Sequence, residues 1–495
     1  MTESGPSHDP QPPAVSDAEL RETFRRAADL AADHIIEMRS RPVFQPMSGE
    51  ERRGILSMPF PEEGLSPAAI LDAIAEHILP RPFGNGHPRF FGWANSPPAP
   101  VGVAAEMLAA AMDPSCAGGD HAAIYLEHAA VRWLLEMVGM DEPGAFGLLT
   151  SGGSMANLTG LAAARHQATR ADGVDVRRDG LTGAPRYVAY ASTQVHSSLQ
   201  KAMELLGLGR DALRLVDTDG AFRVDTAALR EAIRRDRAAG HRPFCVVASA
   251  GTVNTGAIDD MGALLEISRE QGLWLHVDGA IGAAGALDER LHDRLGPLAR
   301  VDSLAFDPHK CLSVPVECGA VLVRDGELLR DAFSLVPPYL RTTPGTGIGG
   351  PPWFSEYGFQ QTRGFRALKL WAALSHMGRK GAAALIRNQH DRAAELAAMV
   401  DEAPPLERMA PVELSIVCFR YRPDGAGDAE LDSLNRRIVD ELQSAGRVFV
   451  TGTELDGRFA IRAATLHYGT TAEDLRVLVD EVVAAGWRAA NRGAP

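Results

Sequence analysis

The sequence predicts an α/β fold: a mostly parallel central sheet with helices on both faces, an N-terminal helical arm and a smaller α+β C-terminal domain. Two observations carry this. Between about 145 and 330, seven short apolar runs ("FGLLT", "RYVAYAS", "LRLVD", "FCVVASAG", "LWLHVDGA", "VDSLAFD", "GAVLVRD") alternate with stretches of helical periodicity, the rhythm of strands buried on both faces by crossover helices. On either side of this region the rhythm stops.

In chain order, residues 1–15 are polar and proline-rich, without an apolar segment, and are expected to form a disordered tail. Residues 16–100 read as the helical arm. From Asp17 to Arg39 apolar residues recur at helical spacing, and "SPAAILDAIAEHILP" is a second amphipathic helix with Ser66 as its cap. Gly, Pro and three aromatics in "GNGHPRFFGWANSPPAP" then make a loop. The large α/β domain is expected over 101–365. After the helix "RGFRALKLWAALSHMG", the runs "LSIVCFRYRP", "RVFVTGTEL" and "RFAIRAATLHY" mark the small domain over 366–495.

Composition narrows the function. A chain of 495 residues with 45% hydrophobic content can bury a large core, and a formal charge of -14 without any basic run argues against nucleic acid as a partner. No apolar run is long enough to span a bilayer. Five well-separated cysteines without CxxC imply free thiols, no structural metal and a reducing compartment, so a cytoplasmic location is expected.

Lysine is scarce. Only Lys201, Lys310, Lys369 and Lys380 occur among the 50 basic residues. Arginine keeps its proton, whereas a sheltered lysine can become a nucleophilic amine that forms Schiff bases. Lys310 follows a strand in "VDSLAFDPHK"; the other three lie in helical or "GRKG" contexts and are expected to be solvated. The motif "GTGIGG" matches GxGxxG but has proline on both sides and neither strand nor helix around it, so the dinucleotide reading fails and a mobile lid is expected there.

Ligands of such sheets bind beyond the carboxyl ends of the strands. There, "TSGGSMANLTG" offers Gly153, Ser154 and a helix start suited to phosphate, or a plain capped turn. "HVDGA" ends a strand on Asp278 amid small residues, a carboxylate that either meets a cation or caps the next turn. His196 follows another strand, in a place where many histidines are merely structural. Together, a phosphate site, a buried carboxylate, a flat imidazole and a strand-end lysine are the four parts that pyridoxal phosphate requires: anchor, pyridinium partner, ring stack and Schiff-base amine.

On "HVDGA", "DPHK" and "RGFRALKLW" the chain resembles the group II pyridoxal-phosphate-dependent amino-acid decarboxylases, the aromatic-L-amino-acid decarboxylase family, from about "HPRFFGW" to "LHYGTTAEDL". The resemblance implies the fold type I architecture of pyridoxal-phosphate enzymes and a homodimer with active sites at the interface. It implies decarboxylation of an L-amino acid through a quinonoid intermediate. By resemblance Lys310 carries the cofactor, Asp278 holds the pyridinium, Ala280 packs on the ring, His196 stacks above it, and Gly153 and Ser154 bind phosphate. Thr252 is expected near the cofactor hydroxyl, with Asp307 and His309 completing the cofactor set. Ser96, Trp93, Ser115 and Cys311 are expected to face the substrate; Cys311 stands where relatives often carry tryptophan, which implies a wider and more polar pocket. An aminotransferase shares the cofactor, but these motifs resemble the decarboxylases. Phe354 is expected at the catalytic position of a lid tyrosine, which would favour oxidative deamination to an aldehyde as the alternative outcome, unless Tyr339 or Tyr357 supplies the phenol.

Overall fold

All seven apolar runs are strands of one sheet in the computed structural model, which describes residues 15–336 and 348–491. Nearly all of the expected tail, Tyr339 and half of "GTGIGG" lie outside the described residues. The strands are β1 (Phe146–Thr150), β2 (Tyr187–Ser192), β3 (Leu213–Val216), β4 (Arg242–Ser249), β5 (Trp274–Asp278), β6 (Ser303–Phe306) and β7 (Gly319–Val323), in the order β1-β7-β6-β5-β4-β2-β3.

Direction matters more than order. β3, β2, β4, β5 and β6 are mutually parallel, while β7 runs antiparallel to both β6 and β1. Six strands therefore point the same way, and their carboxyl ends share one edge with the amino end of β7. Most residues of these strands are buried, as expected where helices cover both faces.

A second sheet is antiparallel throughout: β8 (Leu406–Arg408), β9 (Ile416–Tyr421), β10 (Thr451–Leu455) and β11 (Arg458–Ala464), in the order β10-β11-β9-β8. The helices Asp428–Ala445 and Ala472–Asn491 close its core. Between the sheets runs Arg366–Glu402, broken at Gly378, whose φ of 63° and ψ of 170° are not helical. Ala367, Leu370 and Leu374 join the core of the large sheet. Further along, Ala393, Leu396 and Val400 join that of the small one.

The arm begins with the helix Asp17–Glu37, capped by Ser16, in which no residue is buried. Farther on, Phe90 stacks on Phe449 with ring centroids 4.9 Å apart, and the Phe91 amide donates to the Phe449 carbonyl at 2.8 Å. Among the described residues no helix is long and apolar enough to cross a membrane. One lysine departs from expectation. Lys369 is not solvated: it is buried and paired with Glu106 at 3.1 Å, because its helix faces the core on that side.

Beneath β1 lies a fully buried ion pair. Glu127, on the helix Ala122–Val138, meets Arg363 with Oε2 to Nη1 at 3.1 Å, and neither side chain is more than 1% exposed. Arg363 also donates to the carbonyls of Leu149 (2.7 Å) and Cys116 (2.8 Å), and Glu127 accepts from the Leu149 amide at 3.3 Å. The pair thereby fixes the end of β1, where the "SGG" turn begins. Removing one partner strands a buried charge at a cost of about 3–5 kcal/mol, whereas an apolar pair of similar volume costs far less. Arg363→Met alone is therefore expected to lower the thermal midpoint markedly, and the double variant Glu127→Leu/Arg363→Met to recover most of the loss in a melting experiment.

Candidate active site

The shared strand edge opens into a cavity of about 320 Å³. Ser151–Met155 reach it from β1, His196 from β2, Gly251 and Val253 from β4, Asp278, Ala280 and Ile281 from β5, and Asp307, His309 and Lys310 from β6. Of the residues expected from sequence, Gly153, Ser154, His196, Asp278, Ala280, Asp307, His309 and Lys310 all line it.

Close approach is built in by glycine. Gly152, at φ 151°, precedes the helix Gly153–Ala171, and among the described residues no side chain caps that helix. A Cβ on Gly153 would stand 2.8 Å from Asp307 Oδ2 and 3.2 Å from Ala280 Cβ, and one on Gly319 would come within 2.4 Å of Gly152 Cα. Backbone N–H groups at an uncapped start of a 19-residue helix attract an anion.

Asp278 is buried, accepting from Asn157 Nδ2 at 2.9 Å and from the Ala280 amide at 3.2 Å. Lys310 Nζ lies 3.0 Å from Asp307 Oδ2. Burial opposes its charge, yet Asp307 and Asp278 outweigh burial and raise the lysine pKa above its ordinary value. Asp307 Oδ1 is buried and has no partner among the described residues. His196 Nδ1 pairs with Ser198 Oγ at 2.8 Å, and burial lowers its pKa. His309 Nδ1 is tied to the Cys318 carbonyl at 2.8 Å.

Six expected residues stand elsewhere, Phe354 among them. Thr252 is buried, but its hydroxyl pairs with Thr255 Oγ1 at 2.9 Å and holds the Ala257 amide, so it shapes the loop while Gly251 and Val253 face the cavity. Cys311 turns its thiol to the Ile281 carbonyl at 3.0 Å, and burial pushes the thiol pKa up to about 12. This geometry removes the basis for a polar pocket wall at that position. Ser96 is buried behind the cavity, bonded to the His309 carbonyl at 3.4 Å and the Ser313 amide at 3.1 Å. Trp93 is half exposed and stacks on Phe83 at 4.4 Å. Ser115 is exposed and does not line the cavity.

Phe354 requires a plain correction. Its side chain is fully buried beneath β1, 4.5 Å from the His128 ring and 5.1 Å from the Arg363 guanidinium carbon, because the apolar ring packs in the core beside the ion pair. It does not face the reacting centre. Tyr357 packs on Phe146 at 4.2 Å in the same core. Asn157 was not singled out from sequence, although a polar residue at the buried face of "SMANLTG", three positions after Ser154, is a signal of its own.

The residues present fit pyridoxal phosphate: an uncapped helix start with glycine clearance, an acceptor at the cavity floor, a flat imidazole and an amine. The comparisons agree. The chain matches the pyridoxal-dependent decarboxylase conserved domain over residues 50–422. It is 32% identical to an aromatic-L-amino-acid decarboxylase of Bacillus atrophaeus, over 95% of this chain and 96% of the relative. It is 27% identical to a phenylacetaldehyde synthase of Arabidopsis thaliana, over 90% and 91%. The solved structure of Oryza sativa TDC with PLP and tryptamine superposes with a TM-score of 0.88 at 25% identity, over 97% of this chain and 99% of that one. The cavity thus lies in an enzyme that uses pyridoxal phosphate to decarboxylate an amino acid, and the chain belongs to the pyridoxal-dependent decarboxylase family.

Proposed function

We propose that this enzyme converts an aromatic L-amino acid to its amine, with Lys310 as the attachment point of the cofactor and the cavity at the carboxyl edge of the large sheet as the site. The convergence of Lys310, Asp278, His196 and the Gly153 helix start on that cavity carries the reading. The substrate class rests on the Bacillus relative, which spans nearly the whole chain.

When bound, pyridoxal phosphate supplies an aldehyde carbon for an amine and an electron-poor ring that accepts the electron pair released as carbon dioxide departs. The protein supplies position and charge. Gly153 and Ser154 would receive the phosphate, Asp278 would keep the ring nitrogen protonated, and His196 and Ala280 would hold the ring. Asp307 holds Lys310 Nζ as an ammonium, so the proton must leave before the amine can attack. Ser96 and Thr252 act one layer back, fixing the backbone on either side of the cavity. The buried position of Phe354 withdraws the residue-based argument for aldehyde formation.

Exposed apolar residues of the arm support an assembly. The helix Asp17–Glu37 buries none of its residues, and Ile36, Leu56, Phe60 and Leu65 are exposed, as are Leu108 and Met112 on the helix Pro100–Met112. Apolar area of this extent is costly in water. A second copy of the chain is the proposed cover, giving a homodimer in the cytoplasm, where the five free, buried cysteines remain reduced.

Three outcomes are expected. Borohydride trapping of apoprotein rebuilt with pyridoxal phosphate should place the pyridoxyl group on Lys310 alone; because the Lys310 pKa is raised, attachment should quicken as pH rises, and Asp307→Asn, by lowering that pKa, should move the profile to lower pH. A label on another lysine would sink the assignment. Turnover of aromatic L-amino acids in an oxygen electrode should release carbon dioxide and amine without oxygen uptake, in both the wild type and Phe354→Tyr; aldehyde with oxygen consumption would establish the oxidative branch instead. Sedimentation of the holoenzyme should give twice the chain mass, and an active monomer would refute the dimer.

A further inference from the structure

Behind Asp278 and His196 lies a buried run of polar side chains. Trp274 Nε1 is 2.7 Å from Ser303 Oγ, which is 2.7 Å from His276 Nδ1. His276 Nε2 is 2.9 Å from Asn157 Oδ1. The Asn157 amide nitrogen then forks, to Asp278 Oδ2 at 2.9 Å and to Ser198 Oγ at 3.1 Å. Ser198 Oγ reaches His196 Nδ1 at 2.8 Å.

Only one arrangement of protons satisfies all of these bonds. An indole nitrogen donates and never accepts, so Ser303 Oγ must accept from Trp274 and pass its own proton to His276 Nδ1. A neutral His276 then carries its proton on Nε2 and donates to Asn157 Oδ1, which forces the amide nitrogen toward Asp278 and Ser198. Both Asp278 oxygens accept, Oδ2 from Asn157 and Oδ1 from the Ala280 amide, so the Asp278 end is equally fixed. Ser198, holding a donated proton from Asn157, gives its own to His196 Nδ1, which also accepts from the Ser198 amide at 3.2 Å. That leaves the His196 proton on Nε2. Burial lowers the His276 pKa to about 4, which keeps the ring neutral. Gly160, one turn beyond Asn157, makes room: a Cβ there would stand 2.6 Å from the His276 ring.

We propose that Asn157 and His276 are positioning residues of this site, and that the one-directional chain from Trp274 holds Asp278 as an acceptor and His196 as its Nε2–H tautomer before any cofactor arrives. This rests on the reading of the cavity as the pyridoxal-phosphate site. Asn157 is the junction, because its two N–H groups serve the two side chains assigned to the ring nitrogen and the ring face. Turned over, its oxygen would face the Asp278 carboxylate, an uncompensated clash of acceptors in a buried place. His276 prevents that turn.

Two measurements test the chain. With imidazole-labelled apoprotein, nitrogen NMR at neutral pH should show His276 and His196 both neutral with the proton on Nε2, the signals being assigned by His276→Gln and His196→Gln; a proton on Nδ1 of either overturns the proposal. Pyridoxal phosphate affinity of the apoprotein, followed by fluorescence, should fall about tenfold or more in Asn157→Leu and in His276→Leu, the scale of a lost charge-assisted hydrogen bond. The double variant should bind no more weakly than Asn157→Leu alone. Losses that multiply would mean two independent packing roles and would overturn the chain. Should Asn157→Leu fail to fold, His276→Gln, which keeps a donor toward Asn157, should retain most of the affinity that His276→Leu loses; equal losses count against the proposal. Wild-type apoprotein that binds no pyridoxal phosphate would instead overturn the functional reading.

Discussion

The burial of Asp278 at the carboxyl end of β5 is the constraint around which the site is arranged. A carboxylate that deep costs several kcal/mol unless donors and a cation meet it. The chain provides the Asn157 amide and the Ala280 backbone N–H as donors. One face is left toward a cavity that also holds Lys310. In the proposed reading a protonated ring nitrogen would complete the set, and the energy that the fold spends in burying Asp278 would be recovered on cofactor binding.

Charge balance extends the same logic to β6. Asp307 and Asp278 hold Lys310 protonated against the opposing effect of burial. Asp307 Oδ2 lies between the "SGG" turn and the lysine, while Oδ1, turned toward Gly319 of β7, has no partner among the described residues. The Glu127–Arg363 pair, although remote from the chemistry, fixes both backbone groups of Leu149 and so sets where that turn begins. Stability and site geometry are coupled through it.

Relatives of this chain include both a decarboxylase and an aldehyde synthase, so membership of the family leaves the fate of the reaction to individual side chains. The buried Phe354 and Tyr357 serve the core of this protein, each against an aromatic or cationic neighbour. Neither lines the cavity.

The sequence by itself determined the strands of the large sheet. Seven apolar runs became seven strands, Ser66 caps its helix, and the strand-end residues Gly153, His196, Asp278 and Lys310 could be picked out because parallel strands bring their carboxyl ends together. These are local signals: periodicity, capping chemistry and the residue that follows each run. The reversed β7, the burial of Lys369 beside Glu106, and the turning of Thr252, Cys311 and Phe354 away from the cavity were decided only by the tertiary structure. Each depends on a partner far away in the chain or on which side of a loop faces the core, and no local pattern encodes that. Asn157 shows the difference most clearly. Its position on a buried helical face is written in the sequence, but its importance comes from His276 and Asp278, more than a hundred residues later, meeting it at hydrogen-bonding distance.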